Sequence, residues 1–157
     1  VHKAWILAAA PLAAAPFAYR PAVVEADVEA MLQRAKLKFE KSKDSSGDTM
    51  FTVTLEGYSV AVMLYMVEPG EPAIERMSWV TSFDLQDGIK PEAVNDWNSN
   101  SLDIKVYRDE EGDPVLEGSH TVEGGVDAAN LDAWLSDVRA ETAEFVAEHG
   151  SGNLIRS

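Results

Sequence analysis

The chain contains no cysteine in 157 residues. That absence excludes disulfides, a thiolate nucleophile, Cys-held zinc or iron–sulfur sites, and a lipid anchor attached through cysteine. Basic residues are scarce: 13 Lys and Arg stand against 27 Asp and Glu, a formal net charge of −14. Nucleic-acid binding needs clustered cations to replace phosphate counterions, and docking on an anionic membrane needs them too. Neither partner fits this chain. Histidine occurs only three times. There is no Gly-x-Ser-x-Gly elbow, no Walker loop and no Gly-x-Gly-x-x-Gly after a strand. What remains, 46% hydrophobic residues, suits one globular domain with a real core.

The first residues have the pattern of an export signal. Val1-His2-Lys3 is a short basic start, Ala4 to Ala15 carries no charge, and Pro16-Phe17-Ala18 ends in small residues. The run is shorter than the roughly 20 apolar residues a membrane span needs. Pro11 and Pro16 would break a stable helix. The expected division is therefore a signal peptide over 1–18, a folded domain over 19–149 and a flexible tail over 150–157. Cleavage after Ala18 removes Lys3 and takes the net charge to −15. The expected location is periplasmic or secreted, with no membrane contact after cleavage.

Apolar periodicity supplies the elements. Val24, Val28, Met31, Leu32, Ala35 and Phe39 form one stripe at helical spacing, predicting a helix over 23–39. Phe51, Val53 and Leu55 alternate with Met50, Thr52 and Thr54, and Glu56-Gly57 then makes a tight turn. From Tyr58 to Val67 both alternating sets are apolar, as in a central strand or one covered on both sides. A third strand puts Met77, Trp79 and Thr81 on one face, with Arg76, Ser78 and Ser82 opposite. Pro91 opens a short helix. Strands over 102–108 and 114–122 follow, and Asp127 caps a final helix to about residue 148. The expected order is α-β-β-β-α-β-β-α, an α+β domain with an antiparallel sheet and helices packed on it.

Chemistry is thinly represented. His120 falls in phase with Leu116 and Val122, on the core-facing side of its strand, and His149 sits at a helix C-terminus favoured for a cation. Asp109 to Asp113 holds four carboxylates in five residues, open to a weak calcium site or a solvated hairpin turn. It departs from the EF-hand spacing, with glycine fourth and Pro114 sixth. Gly124-Gly125 precedes a helix and could receive an anion, yet Glu123 and Asp127 flank it. Neither a metal site nor a cofactor is expected, and the chain reads as non-catalytic.

Asn95-Asp96-Trp97-Asn98 ends the middle helix, where Trp97 would anchor it and Asn98 or Asn100 could take a left-handed cap. The succession of a helix with Asn-x-Trp-Asn, the strand Leu102 to Tyr107, an acidic Gly turn, a strand, and Gly-Gly-Val before an amphipathic helix resembles the YbjN family. The likeness spans about residues 23–148. It marks Asn95, Trp97, Asn98, Gly124 and Gly125 as structural signature positions. It implies the fold of type III secretion chaperones, which present a sheet and helices to another chain, often as homodimers. The family is described as sensory transduction regulators, many of them cytoplasmic, and an export signal departs from that.

The function expected from these readings is a non-enzymatic protein-binding or adaptor domain. Its partner would be a protein or peptide, or a second copy in a homodimer. Ala61, Met63, Tyr65 and Val67, the second apolar face of the Tyr58–Val67 strand, would meet that partner if nothing covers them. The rival expectations are a small-ligand or cation sensor using the acidic loop or a pocket beside Trp97, and a carboxylate-pair hydrolase.

Overall fold

A computed structural model describes residues 21–150; the expected signal peptide and nearly all of the tail lie outside them. The first helix, α1, runs Glu25–Arg34. Its start is tied by Val24, whose backbone N–H donates to the Asp27 carboxylate at 2.9 Å, with acids in the first turn and Arg34 in the last. It ends five residues before the periodicity does. Lys36 takes φ +56°, a left-handed angle that no helix propagates, and the chain turns back into a strand, β1, at Lys38–Lys43.

β1 corrects the expected order. Phe39, counted as the last residue of the helical stripe, lies instead in β1 and meets Phe51 edge-on at 5.6 Å between ring centroids. All six residues of β1 pair with the next strand, from Lys38↔Thr54 to Lys43↔Thr49. Five of the six are exposed, so no period-2 apolar signal marks the strand. Lysines at a sheet edge discourage pairing with other chains.

The remaining elements are β2 (Thr49–Leu55), β3 (Tyr58–Met66), β4 (Ile74–Ser82), α2 (Pro91–Asn100), β5 (Ile104–Arg108), β6 (Pro114–Thr121) and α3 (Ala128–His149). The order is thus α-β-β-β-β-α-β-β-α, one strand more than expected, within the expected α+β class. Positive φ at both Glu56 and Gly57 makes the two-residue hairpin that matches strand twist. The six strands form one antiparallel sheet in the order β1-β2-β3-β4-β6-β5.

The core lies on one side of that sheet. Phe51, Val53, Val62, Leu64, Met77, Trp79 and Leu116 point into it and are completely buried. From above come Met31 and Leu32 of α1, Trp97 of α2, and Leu131, Leu135, Val138 and Phe145 of α3. Side chains of this size contribute roughly 1.5–3 kcal/mol each on burial. Gly118 shows how closely α3 sits on β6: a Cβ there would stand 2.9 Å from Val138 Cγ1. The Trp79 indole N–H donates to the Thr142 hydroxyl of α3 at 3.1 Å. Beside α3, α1 is held by a two-pronged Arg34–Asp132 pair. Lys41 of β1 reaches Glu25 and Glu29 of α1; with the Thr49 hydroxyl, it holds the Glu25 carboxyl below its ordinary range. Among the described residues no helix is long and apolar enough to cross a membrane.

Candidate functional site

Alternation along a strand sends every second side chain to the opposite face. With the core on one side of the sheet, the other side carries the remainder. The register places Met50 of β2 beside Met63 of β3 and Ser78 of β4, and Ser78 beside Ser119 of β6. The next row is Glu40, Thr52, Ala61, Val80, Glu117 and Lys105. Beyond it, Val115 faces Tyr107, and in the other direction Tyr65 faces Arg76, whose guanidinium lies over the ring at 5.4 Å. Every described helix packs on the other face, so these rows form an open sheet face.

Three of the four proposed partner-binding residues, Ala61, Met63 and Tyr65, stand together there and are half-buried by their sheet neighbours. Val67 does not join them. A register shift between Tyr65 and Met66 ends the regular alternation, and Val67 sits beyond β3, 45% exposed, its N–H bonded to the Ala73 carbonyl. The single-strand view missed Met50, Val80, Val115 and Tyr107. Their alternation was present in the sequence, but only the pairing register assembles them into one surface.

The Asn-x-Trp-Asn segment has a different task. On α2, the Trp97 indole N–H donates to the Ile104 carbonyl at 3.1 Å. The Asn98 side chain donates to the Val106 carbonyl at 2.9 Å and accepts from the Val106 N–H at 2.8 Å. An amide side chain thereby pairs with β5 as another strand would, closing one free edge of the sheet. Asn98 and Asn100 are not left-handed: Lys36 and Glu56 are the positive-φ non-glycine residues of the described chain. The cap is the extended Ser101, whose N–H reaches the Trp97 carbonyl. Glu141 of α3 grips the following turn. Its carboxylate accepts from the Ser101 hydroxyl and from the N–H groups of Leu102, Asp103 and Ile104, the last at 2.8 Å. Burial, and then the Glu141 charge, raise the Asp103 carboxyl above its ordinary range.

The other sequence candidates are engaged locally. Asp109 Oδ1 accepts from the N–H groups of Glu111 and Asp113, and Asp113 accepts from the Leu85 N–H, so those carboxylates shape the hairpin tip. Gly124 and Gly125 both have positive φ and turn the chain toward Asp127, which caps α3 by accepting from the Asn130 N–H. His120 is core-facing and half-buried; its ring stacks on Trp134 and lies 2.7 Å from Asn130 Oδ1. His149, ending α3, packs on Phe145. Beside Trp97 there is a cleft of about 130 Å³ whose carboxylates come from Asp96, Glu141, Glu144 and Glu148. Among the described residues no group of three or more His, Asp or Glu side chains is placed to hold a metal.

A sequence profile of the YbjN family, described as "Putative bacterial sensory transduction regulator", matches residues 26–150. The chain belongs to the YbjN family. The crystal structure of YbjN from E. coli, itself described as a putative transcription regulator, superposes with a TM-score of 0.56 at 13% identity, covering 82% of this chain and 93% of that one. That likeness is one of fold. A looser superposition, TM-score 0.48 at 12% identity over 76% of this chain and 96% of the other, is with the Yersinia pestis type III secretion chaperone SycH in complex with a YscM2 fragment. No curated protein sequence matches the chain significantly. In this YbjN-family member Trp97 and Asn98 thus hold α2 against a sheet edge, and Gly124-Gly125 aims α3. These residues build the scaffold, while the open face lies on the other side of the sheet.

Proposed function

We propose that this YbjN-family chain is an exported, non-enzymatic protein-binding domain whose binding surface is the open sheet face. One observation carries the proposal. A six-stranded sheet has all its described helices on one side and, on the other, a patch centred on Met50, Ala61, Met63 and Val80. Methionine side chains are flexible and polarizable, suited to a surface that must fit another chain. Serine and threonine around them offer hydrogen bonds without charge. Non-enzymatic action is supported by how three of the carboxylates are used: Glu141, Asp109 and Asp113 spend their oxygens on backbone N–H groups. The cleft beside Trp97 gives the small-ligand alternative a location, but Glu141 in its wall is committed to the 101–104 turn.

Export rests on the basic, apolar and small-residue succession of residues 1–18. One experiment addresses both parts. A photo-crosslinking residue is placed at Met63 or Tyr65, and separately at Glu144 on the helix side, in the full chain in cells. Adducts to a protein chain are expected from positions 63 and 65 and not from 144, in the periplasmic fraction, on a chain whose mass starts at Tyr19. Adducts from 144 alone would place binding on the helices, and adducts confined to the cytoplasm would remove the export assignment.

A further inference from the structure

The scarce positive charge of this chain gathers at one edge of the sheet. Five of the 13 Lys and Arg fall from Arg34 to Lys43, in β1 and the turn before it. Two of the five are spent locally, Arg34 on Asp132 and Lys41 on Glu25 and Glu29. Lys36 and Lys38 are exposed, and Lys43 reaches the neutral Thr49 hydroxyl at 2.7 Å. Among the described residues none of these three lysines has an ion pair. Against them β1 carries one acid, Glu40, and the Asp44 carboxylate just beyond it accepts from the Ser46 and Asp48 N–H groups. Glu144 and Glu148, beside Trp97, belong to the opposite edge, where α2 meets β5. Five strand spacings of about 4.8 Å separate the two edges. That is well beyond the Debye length of about 8 Å in physiological salt, so a ligand on β1 is governed by the lysines beside it.

The same edge has unpaired backbone. Leu55 and Tyr58 flank the two-residue turn, so odd-numbered residues of β2 bond to β3, and the even-numbered Met50, Thr52 and Thr54 bond to β1. Their partners are Ser42, Glu40 and Lys38. The Asp44 N–H, donating to the Asp48 carbonyl at 2.9 Å, keeps that phase. Phe39, Lys41 and Lys43 therefore turn their N–H and C=O groups away from the sheet. β1 ends the strand order, and five of its six residues are exposed. The Asn98 amide closes the edge at β5. Among the described residues nothing does so at β1.

We infer that the β1 edge binds an extended acidic peptide segment of another protein, which adds a strand to the sheet. This site is separate from the open face and stands without it. Main-chain hydrogen bonds to Phe39, Lys41 and Lys43 hold the added strand, and its alternate side chains set its identity. On the core side they fall beside Phe39, Lys41 and Lys43, and on the other side beside Lys38 and Glu40. Carboxylates next to Lys38 and Lys43, and at the end near Lys36, meet ammonium groups that nothing in the described chain neutralises. The lysines that turn an ordinary strand away admit one that carries carboxylates. The β1 of a second copy would bring its own lysines against these, so self-pairing is disfavoured.

The test uses the full chain and two fluorescein-labelled peptides about as long as β1, one of alternating Glu and Val and one of alternating Lys and Val. Fluorescence anisotropy should show the Glu peptide binding and the Lys peptide not. Affinity should fall as ionic strength rises from about 0.05 to 0.5 M, because salt screens the attraction. Reversing both exposed charges, Lys36→Glu with Lys38→Glu, should weaken binding by on the order of tenfold, while Glu144→Lys leaves it unchanged. Amide hydrogen exchange followed by NMR places the peptide and shows that the variants fold. In the free chain the amides of Phe39, Lys41 and Lys43 should exchange faster than those of Glu40 and Ser42, and a saturating Glu peptide should slow those three. Binding that leaves them unprotected lies elsewhere and overturns the inference. Equal binding of the two peptides, binding of neither, or amides at 39, 41 and 43 already as slow as at 40 and 42 in the free chain would overturn it as well. The open-face reading is judged separately, by the crosslinks from Met63 and Tyr65.

Discussion

Replacing Trp79 by alanine is expected to destabilise the domain by about 3–5 kcal/mol, the range for deleting a large aromatic side chain from a core. Trp79 has no exposed surface and lies in β4, between Val62 of β3 and Gly118 of β6. Its indole reaches α3, where its N–H finds the Thr142 hydroxyl. The cost has two parts. Most is the cavity, since interiors relax only partly around a missing ring. The rest is the hydrogen bond to Thr142, about 1 kcal/mol net. Trp79→Phe should keep part of the packing and lose the bond, falling well short of the alanine variant. Thr142 already donates to the Val138 carbonyl at 2.6 Å, so Thr142→Val should strand the indole N–H and cost about 1–3 kcal/mol. Urea unfolding followed by circular dichroism measures all three. A loss below about 1 kcal/mol for Trp79→Ala would contradict the packing described.

Asn98→Ala is expected to cost about 2–3 kcal/mol and, more tellingly, to open one edge of the sheet. Its amide satisfies both the N–H and the C=O of Val106, and removing it leaves two half-buried backbone groups dependent on water. Asn98→Asp retains an acceptor for the N–H but sets a carboxylate against the carbonyl, so it should not rescue. Hydrogen exchange at the Val106 amide should accelerate in both variants, while exchange in β2 and β3 follows only the global loss. The freed edge should also promote association through β5. An unchanged Val106 exchange rate would show that Asn98 does not guard that edge.

The core side of the sheet was visible because Phe51/Val53/Leu55 and Met77/Trp79 alternate with polar residues. β1 was hidden because its six residues contain one apolar side chain, and that one, Phe39, happens to continue the phase of α1. The reversal at Lys36 has no glycine to announce it. In the sequence Asn98 reads as a cap because its real partner is the backbone of a strand eight residues on, and backbone leaves no residue pattern. The open face was half visible. β3 shows two apolar faces, but Met50, Val80, Val115 and Tyr107 come from four other strands and only the register collects them.

The central claim, that the open face is bare on the folded chain and covered by a protein partner, is tested most directly by the methionines. Met31 and Met77 have no exposed surface, while Met50 and Met63 lie half-buried on the open face. Peroxide oxidation read by mass spectrometry, on the dilute purified chain and on the chain in periplasmic extract, should find Met50 and Met63 reactive in the purified chain and protected together in the extract, with Met31 and Met77 unreactive throughout. Met50 and Met63 as inert as Met31 in the purified chain, or as reactive in the extract as in the purified chain, would contradict it.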